Sequence, residues 1–138
     1  MTDVLGEAGD AGGRVLGIGL DLVDVPDFRV LLERRGARLR KRLFSEAELD
    51  RAAARRDPSR CLAAHFAVKE AAFKALGTGW SGEIRWTDVE LVPGSGGKDG
   101  LAFGGEFSRQ LHEKGVSGAS VSISTTRREA CALVVLVG

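Results

Sequence analysis

The stretch FAVKEAAFKALGTG, Phe66 to Gly79, reads as the end of an apolar helix closed by glycine. At about 100° per residue, Phe66, Phe73 and Leu76 fall in one stripe with Leu62. Ala64, Val68, Ala71, Ala72 and Ala75 make a second face of small residues. Both faces suit burial, one under large side chains and one by close approach of another element. Lys69, Glu70 and Lys74 interrupt this plan. Glu70 and Lys74 share a strip between the two faces, and their plain reading is an i,i+4 ion pair worth about 0.3–0.5 kcal/mol. Lys69 falls inside the large apolar stripe. Its plain reading is a stem lying over apolar surface with the ammonium in water.

Working outward, Asp57-Pro58-Ser59 breaks the chain and starts this long helix, which should run to Leu76. Before it, SEAE (Ser45 to Glu48) has the spacing of a capping box and predicts a helix to about Arg56. Further back, RVLGIGLDLV (Arg14 to Val23) alternates as a strand does. Leu16, Ile18, Leu20 and Leu22 share one face. Gly17, Gly19 and Asp21 share the other, which is nearly bare and ends in a carboxylate. Asp24, Pro26 and Asp27 then open a helix that should stop at Gly36, before a basic stretch with Arg34, Arg35, Arg38, Arg40, Lys41 and Arg42.

After Gly79 the pattern turns to strands. RWTDVELV (Arg85 to Val92) and Leu101 to Phe103 flank a turn-rich loop, Pro93 to Gly100. Gly105 to Gly115 predicts a short amphipathic helix with Phe107 and Leu111 inward. Ala119 to Thr125 alternates, Thr126 to Glu129 turns, and Ala130 to Val137 reads as a buried strand. The order β-α-α-α-β-β-α-β-β predicts an α+β fold: a compact single domain over 14–138, with a mainly antiparallel sheet packed by the long helix. The leader up to about Gly13 is rich in Gly, Ala and Asp, has neither a basic region nor an apolar core of a signal peptide, and is expected to be disordered.

Composition narrows the function. The chain has 138 residues, 43% hydrophobic and 28% charged, with 20 basic and 19 acidic residues giving a net charge of +1. Nothing there calls for nucleic acid or an anionic membrane, and no apolar run approaches the roughly 20 residues of a membrane span. Cys61 and Cys131 stand at no metal-ligand spacing, and a buried, reduced pair in a cytoplasmic protein is expected.

A sharper reading joins the strand to the helix. Asp21 closes a glycine-cleared face, and Glu70 lies on a helix that must pack nearby. Two carboxylates completed by waters and phosphate oxygens suit Mg²⁺. Lys74, one turn from Glu70, would put an ammonium where phosphate charge gathers. The plain alternative for Gly17 and Gly19 is close packing of helix on strand.

GIGLD (Gly17 to Asp21), RLFSEAEL (Arg42 to Leu49) and FAVKEAAFKALGTG together resemble the holo-acyl-carrier-protein synthase family of 4′-phosphopantetheinyl transferases. The likeness extends from about Val15 to Val137. It implies transfer of the phosphopantetheine arm of coenzyme A to a serine of an acyl carrier protein, with release of 3′,5′-ADP. It also implies the transferase fold and a homotrimer with active sites between subunits. Asp21 and Glu70 match the family's Mg²⁺ ligands, Lys74 the lysine that meets the coenzyme A phosphates, and Glu48 the glutamate of the second motif, which a capping box explains equally well. Glu70 and Lys74 are the catalytic candidates, with Glu70 taking the serine proton directly or through water. Lys74, His65 and Gly77 are the candidates for binding coenzyme A.

The chain departs from the family at three places. Pro26-Asp27 stand where a base usually follows the aspartate, with Arg29 slightly later. His65 replaces an arginine, and reads either as a partly buried helix histidine or as a stand-in phosphate ligand. SVSIST, Ser120 to Thr125, lacks two flanking histidines. These departures motivate an alternative, a relative that binds carrier protein or coenzyme A without transfer. Arg34 to Arg42 would suit the acidic face of an acyl carrier protein, or form a solvated helix end and loop.

Overall fold

In a computed structural model, which describes residues 3–4, 13–77 and 83–138, ten helices and strands follow the expected order with one addition at the start. β1 is Asp3–Val4, β2 Val15–Asp24, α1 Val25–Leu43, α2 Glu46–Ala53, α3 Pro58–Leu76, β3 Val89–Pro93, β4 Asp99–Phe103, α4 Gly105–Glu113, β5 Gly118–Thr125 and β6 Glu129–Val137. The strands form two antiparallel three-stranded sheets, β1-β4-β3 and β2-β6-β5. The fold is α+β, as expected. Most of the leader expected up to Gly13 lies outside the described residues, but Asp3 and Val4 within it pair with Phe103 and Ala102.

The caps work as the sequence predicts. Asp24 accepts the Asp27 N–H at 2.8 Å, Ser45 and Glu48 close a full capping box, and Asp57 accepts the Arg60 N–H at 3.1 Å with Pro58 in the first turn. Gly77 ends α3 in the left-handed conformation at φ +83°. Two boundaries differ from expectation. α1 is broken at Gly36, as expected, where a φ of +67° and a ψ of −155° are not helical, but the basic stretch after it is helical up to Leu43. The expected strand from Arg85 begins only at Val89, because Asp88 folds back to accept the Arg85 N–H at 3.1 Å and makes a 3₁₀ turn of Trp86–Asp88.

α3 is the centre of the molecule and lies across β2 and β6. Its small face meets the bare face of β2. A Cβ at Gly17 would collide with the Ala75 carbonyl oxygen, and one at Gly19 with that of Ala71. Close helix packing therefore accounts for both glycines. Its large face joins a run of contacting rings, Phe28–Phe66–Trp86–Phe73–Phe107, stacked at the first pair and tilted or edge-on at the others, with successive centroids 5.0–5.6 Å apart. Because the glycine face turns inward, Ile18, Leu20 and Leu22 turn outward and stay about 60% exposed, beside Leu133 of β6. The two thiols are free, but neither is fully buried, contrary to expectation. Cys131 falls on the outer face of β6, and Cys61 on the first turn of α3.

Lys69 corrects its plain reading. The side chain is 1% exposed, with its ammonium inside the fold and not in water. It donates to Glu48 Oε1 at 2.9 Å, to the Trp86 carbonyl at 3.1 Å and to the Val89 carbonyl, which uses all three donors of a charged amine. Glu48 is fully buried. Its other oxygen meets His65 Nδ1 at 2.9 Å. Burial raises the Glu48 carboxyl, but hydrogen bonds from His65 and Lys69 and the lysine charge outweigh it and hold the group at about 2. One carboxylate so ties α2, α3 and β3 together.

The depressed value makes this stabilisation fully present above the unfolded carboxyl's 4.5 and lost as pH falls through about 2. Glu48→Gln should cost about 3–5 kcal/mol at neutral pH, since it strands a buried charge. It should also flatten the acid limb of stability between those two values. Denaturant melts of both proteins from neutral pH downward measure this, and an unchanged acid slope in the variant would contradict the ionised pair.

Candidate active site

Asp21 lies on the glycine face of β2, two residues beyond Gly19. The packing that Gly17 and Gly19 permit carries this carboxylate to the last turns of α3. There Lys74 Nζ stands 2.9 Å from Asp21 Oδ1 and 3.0 Å from the Leu20 carbonyl oxygen. The Asp21 side chain is 16% exposed and that of Lys74 54%, so the pair sits at a rim with the lysine open to solvent. The hydrogen bond to Asp21 and the charges of Asp21 and Glu70 raise the Lys74 ammonium above its ordinary value. Among the described residues the lysine's ion pair is with Asp21 across the seam, and not the i,i+4 pair with Glu70.

Glu70 occupies the strip between the two buried faces and is half-buried. Burial pushes its carboxyl above the ordinary range, and the like charge of Asp21 adds to the rise, partly offset by Lys74. Two carboxylates and an ammonium from β2 and α3 thus converge. Among the described residues no group of three or more His, Cys, Asp or Glu side chains could hold a metal ion. A cation at Asp21 and Glu70 would therefore take most of its ligands from water or substrate oxygens, which is how Mg²⁺ is ordinarily held. The like-charge strain on Glu70 is what a cation there would relieve, so the donor set fits this ion.

The other candidates lie apart. Gly77 caps α3 just past Lys74 and is exposed, while Thr78 and Gly79 of the same motif fall outside the described residues. His65 is five residues before Glu70, roughly 7 Å along the helix axis. It is 6% exposed and held by Glu48. One edge of its ring borders a cavity of about 340 Å³, together with Arg55, Arg56, Arg60 and Cys61. A second hollow of about 180 Å³ adjoins it, with Arg51 and Lys98 in its wall. Sequence reasoning passed over this basic group, although RRDPSR places its arginines around a helix start. Arg29, near the place of the missing base, pairs with Asp57 at 3.2 Å.

Two carboxylates beside a half-exposed ammonium make a donor set that suits a divalent cation next to an anionic group. Residues 17–133 match the family model described as the 4′-phosphopantetheinyl transferase superfamily. The chain is 47% identical over 124 residues to the holo-[acyl-carrier-protein] synthase of Desulforudis audaxviator, covering 90% of this chain and 94% of that one. Among solved structures, the holo-[acyl-carrier-protein] synthase of Neisseria meningitidis superposes with a TM-score of 0.82 at 31% identity, covering 89% of this chain and 98% of the other. That of Bacillus anthracis, solved in complex with CoA (3′,5′-ADP), gives 0.72 at 28% identity, covering 90% and 97%. With the fold, nearly the whole length and the three motifs in agreement, this chain belongs to the 4′-phosphopantetheinyl transferase superfamily.

Proposed function

We propose that this protein is a holo-acyl-carrier-protein synthase, which moves the 4′-phosphopantetheine arm of coenzyme A onto a serine of an apo acyl carrier protein and releases 3′,5′-ADP. The observation that carries the reading is the meeting of Asp21, Glu70 and Lys74 at the glycine-cleared seam. Asp21 and Glu70 are the residues that would hold Mg²⁺. When bound, the ion supplies charge neutralisation on the pyrophosphate.

The rest belongs to the chain's own groups. Lys74, half open to solvent, can leave Asp21 for a phosphate oxygen. Glu70 would take the serine proton, directly or through a water that it orients. The serine oxygen then bonds to the β-phosphorus as the anhydride bond breaks, and 3′,5′-ADP departs. Gly77 leaves room for the substrate at the end of α3. His65 and its arginine neighbours, roughly 13 Å before Lys74 along α3, would meet the nucleotide end. One observation favours the alternative of binding without transfer: Glu48 holds His65 in the interior, where it is a poorer phosphate ligand than an exposed arginine.

Arg34, Arg35, Arg38, Lys41 and Arg42 make an exposed basic ridge on α1, which would receive an acidic carrier protein. The outward row of Ile18, Leu20, Leu22 and Leu133 would be covered in a homotrimer, since an apolar strand face of this kind marks a contact surface.

Four outcomes are expected. Incubation with coenzyme A, Mg²⁺ and an apo acyl carrier protein should add one phosphopantetheine arm by intact mass, and chelator should stop it. Glu70→Gln should cut the rate by about 10²-fold or more while melting no lower than the parent, because it removes a carboxylate already strained by Asp21. Wild-type transfer in that variant would rule out this metal site, and absence of any adduct across several carriers would favour the binding-only reading. Arg38→Glu with Arg42→Glu should raise KM for the carrier about tenfold and leave KM for coenzyme A alone, whereas a rise in the latter would assign the ridge to the nucleotide. Sedimentation should give a trimer that Leu20→Lys disperses, and a monomeric parent would exclude the assembly.

A further inference from the structure

We propose that Cys61, with His65 and Glu48 behind it, is a nucleophilic thiol that accepts one half of an anionic disulfide by thiol–disulfide exchange in the arginine-lined cavity at the start of α3. The three side chains form a relay of nucleophile, base and orienting carboxylate. Cys61 Sγ is 3.7 Å from His65 Nε2, and His65 Nδ1 is 2.9 Å from Glu48 Oε2. A carboxylate held ionised to about pH 2 can only accept, so Nδ1 carries the hydrogen. In the neutral imidazole Nε2 then has the lone pair, aimed at the thiol; burial opposes a charged ring, but the bonds to Cys61 and Glu48 outweigh it and raise the ring's basicity.

The surroundings give the chemistry both access and a preference. Cys61 is partly exposed and borders both the 340 Å³ and the 180 Å³ hollows. The larger hollow presents Arg55, Arg56 and Arg60. Of its two acids, Asp57 is already turned to Arg29 at 3.2 Å, which leaves Asp99 against three guanidiniums. Such a wall concentrates anions and stabilises a departing thiolate. Cys131 lies opposite Leu22 and Ser124, which offer neither a base nor a cation, and so serves as an internal control.

In the exchange the Cys61 proton passes to His65 Nε2 and the sulfur attacks one sulfur of the disulfide. A new S–S bond forms as the old one breaks, and the leaving thiolate takes the electron pair and a proton. The products are one mixed disulfide on Cys61 and one free thiol, with no further oxidant. The proposal stands on the thiol, its base and its cavity. If coenzyme A's nucleotide also uses this cavity, the adduct blocks transfer. That consequence rests on the function proposed above, and the experiment below does not.

The test treats the whole protein with oxidised glutathione, an anionic disulfide, and in parallel with cystamine, a cationic one. Intact mass followed by peptide mapping reads the site and rate. Cys61 should gain one reducible glutathionyl group, with a rate about tenfold or more above that of Cys131 and above its own rate with cystamine. Cys61→Ser should abolish that adduct. His65→Gln should slow it, and Arg56→Gln with Arg60→Gln should bring the two disulfides to within about twofold of each other. The arginine pair keeps the test sharp if His65→Gln folds poorly. Equal labelling of both cysteines, or a Cys61 rate indifferent to the charge of the disulfide, would overturn the proposal.

Discussion

The backbone-to-backbone contact of β2 with α3 governs the rest of this structure. Gly17 and Gly19 present no side chains, so the Ala71 and Ala75 carbonyls occupy the space that Cβ atoms would fill. Three consequences follow from that one approach. Asp21, on the same face of β2, arrives beside Lys74 without a long side chain to span the gap. Glu70 is drawn into a partly dry seam next to a like charge, which raises its basicity. The alternation of the strand then leaves Ile18, Leu20 and Leu22 facing outward, so an interior requirement produces an apolar exterior.

The three charges that interrupt α3 meet three separate fates because of where a 100° step places them. Lys69 points into the fold and is satisfied by one carboxylate and two carbonyls. Glu70 stops at the seam, and Lys74 reaches the rim. Burying Lys69 with Glu48 is costly compared with an apolar pair of similar size. It does, however, fix α2 and β3 to the same turn of α3 that carries Glu70. His65 extends this network toward the surface, where Cys61 and the arginines begin.

The two ends of α3 consequently differ. Its start is lined by guanidiniums around a hollow, and its end by the Asp21 and Glu70 carboxylates and the ammonium groups of Lys74 and Lys114. A long anionic substrate laid along the helix would find cations at one end and phosphate chemistry at the other. The proposed reading of coenzyme A uses both ends, and the proposed thiol exchange uses only the first.

Much of this was legible in the chain itself, because it depends on local rules. Caps at Asp24, Ser45 and Asp57, the stop at Gly77 and the alternation of β2 and β5 are set by neighbours within a few residues, whereas β6, expected to be buried, alternates with Leu133 exposed. The bare face ending in Asp21 and the strip holding Glu70 and Lys74 were readable for the same reason. Motif order alone pointed to the superfamily. What required the folded molecule was every choice among partners distant in sequence. Periodicity could put Lys69 in an apolar stripe, but only α2 and the turn at Trp86 could supply the oxygens that keep it there. Helix spacing offered Glu70 to Lys74, yet the lysine took Asp21, 53 positions away, because close packing brought that carboxylate nearer. The turn at Asp88, the helix resumed after Gly36 and the cavity around Cys61 were decided in the same way. Sequence spacing determines which face a side chain occupies, and only tertiary packing determines what stands opposite it.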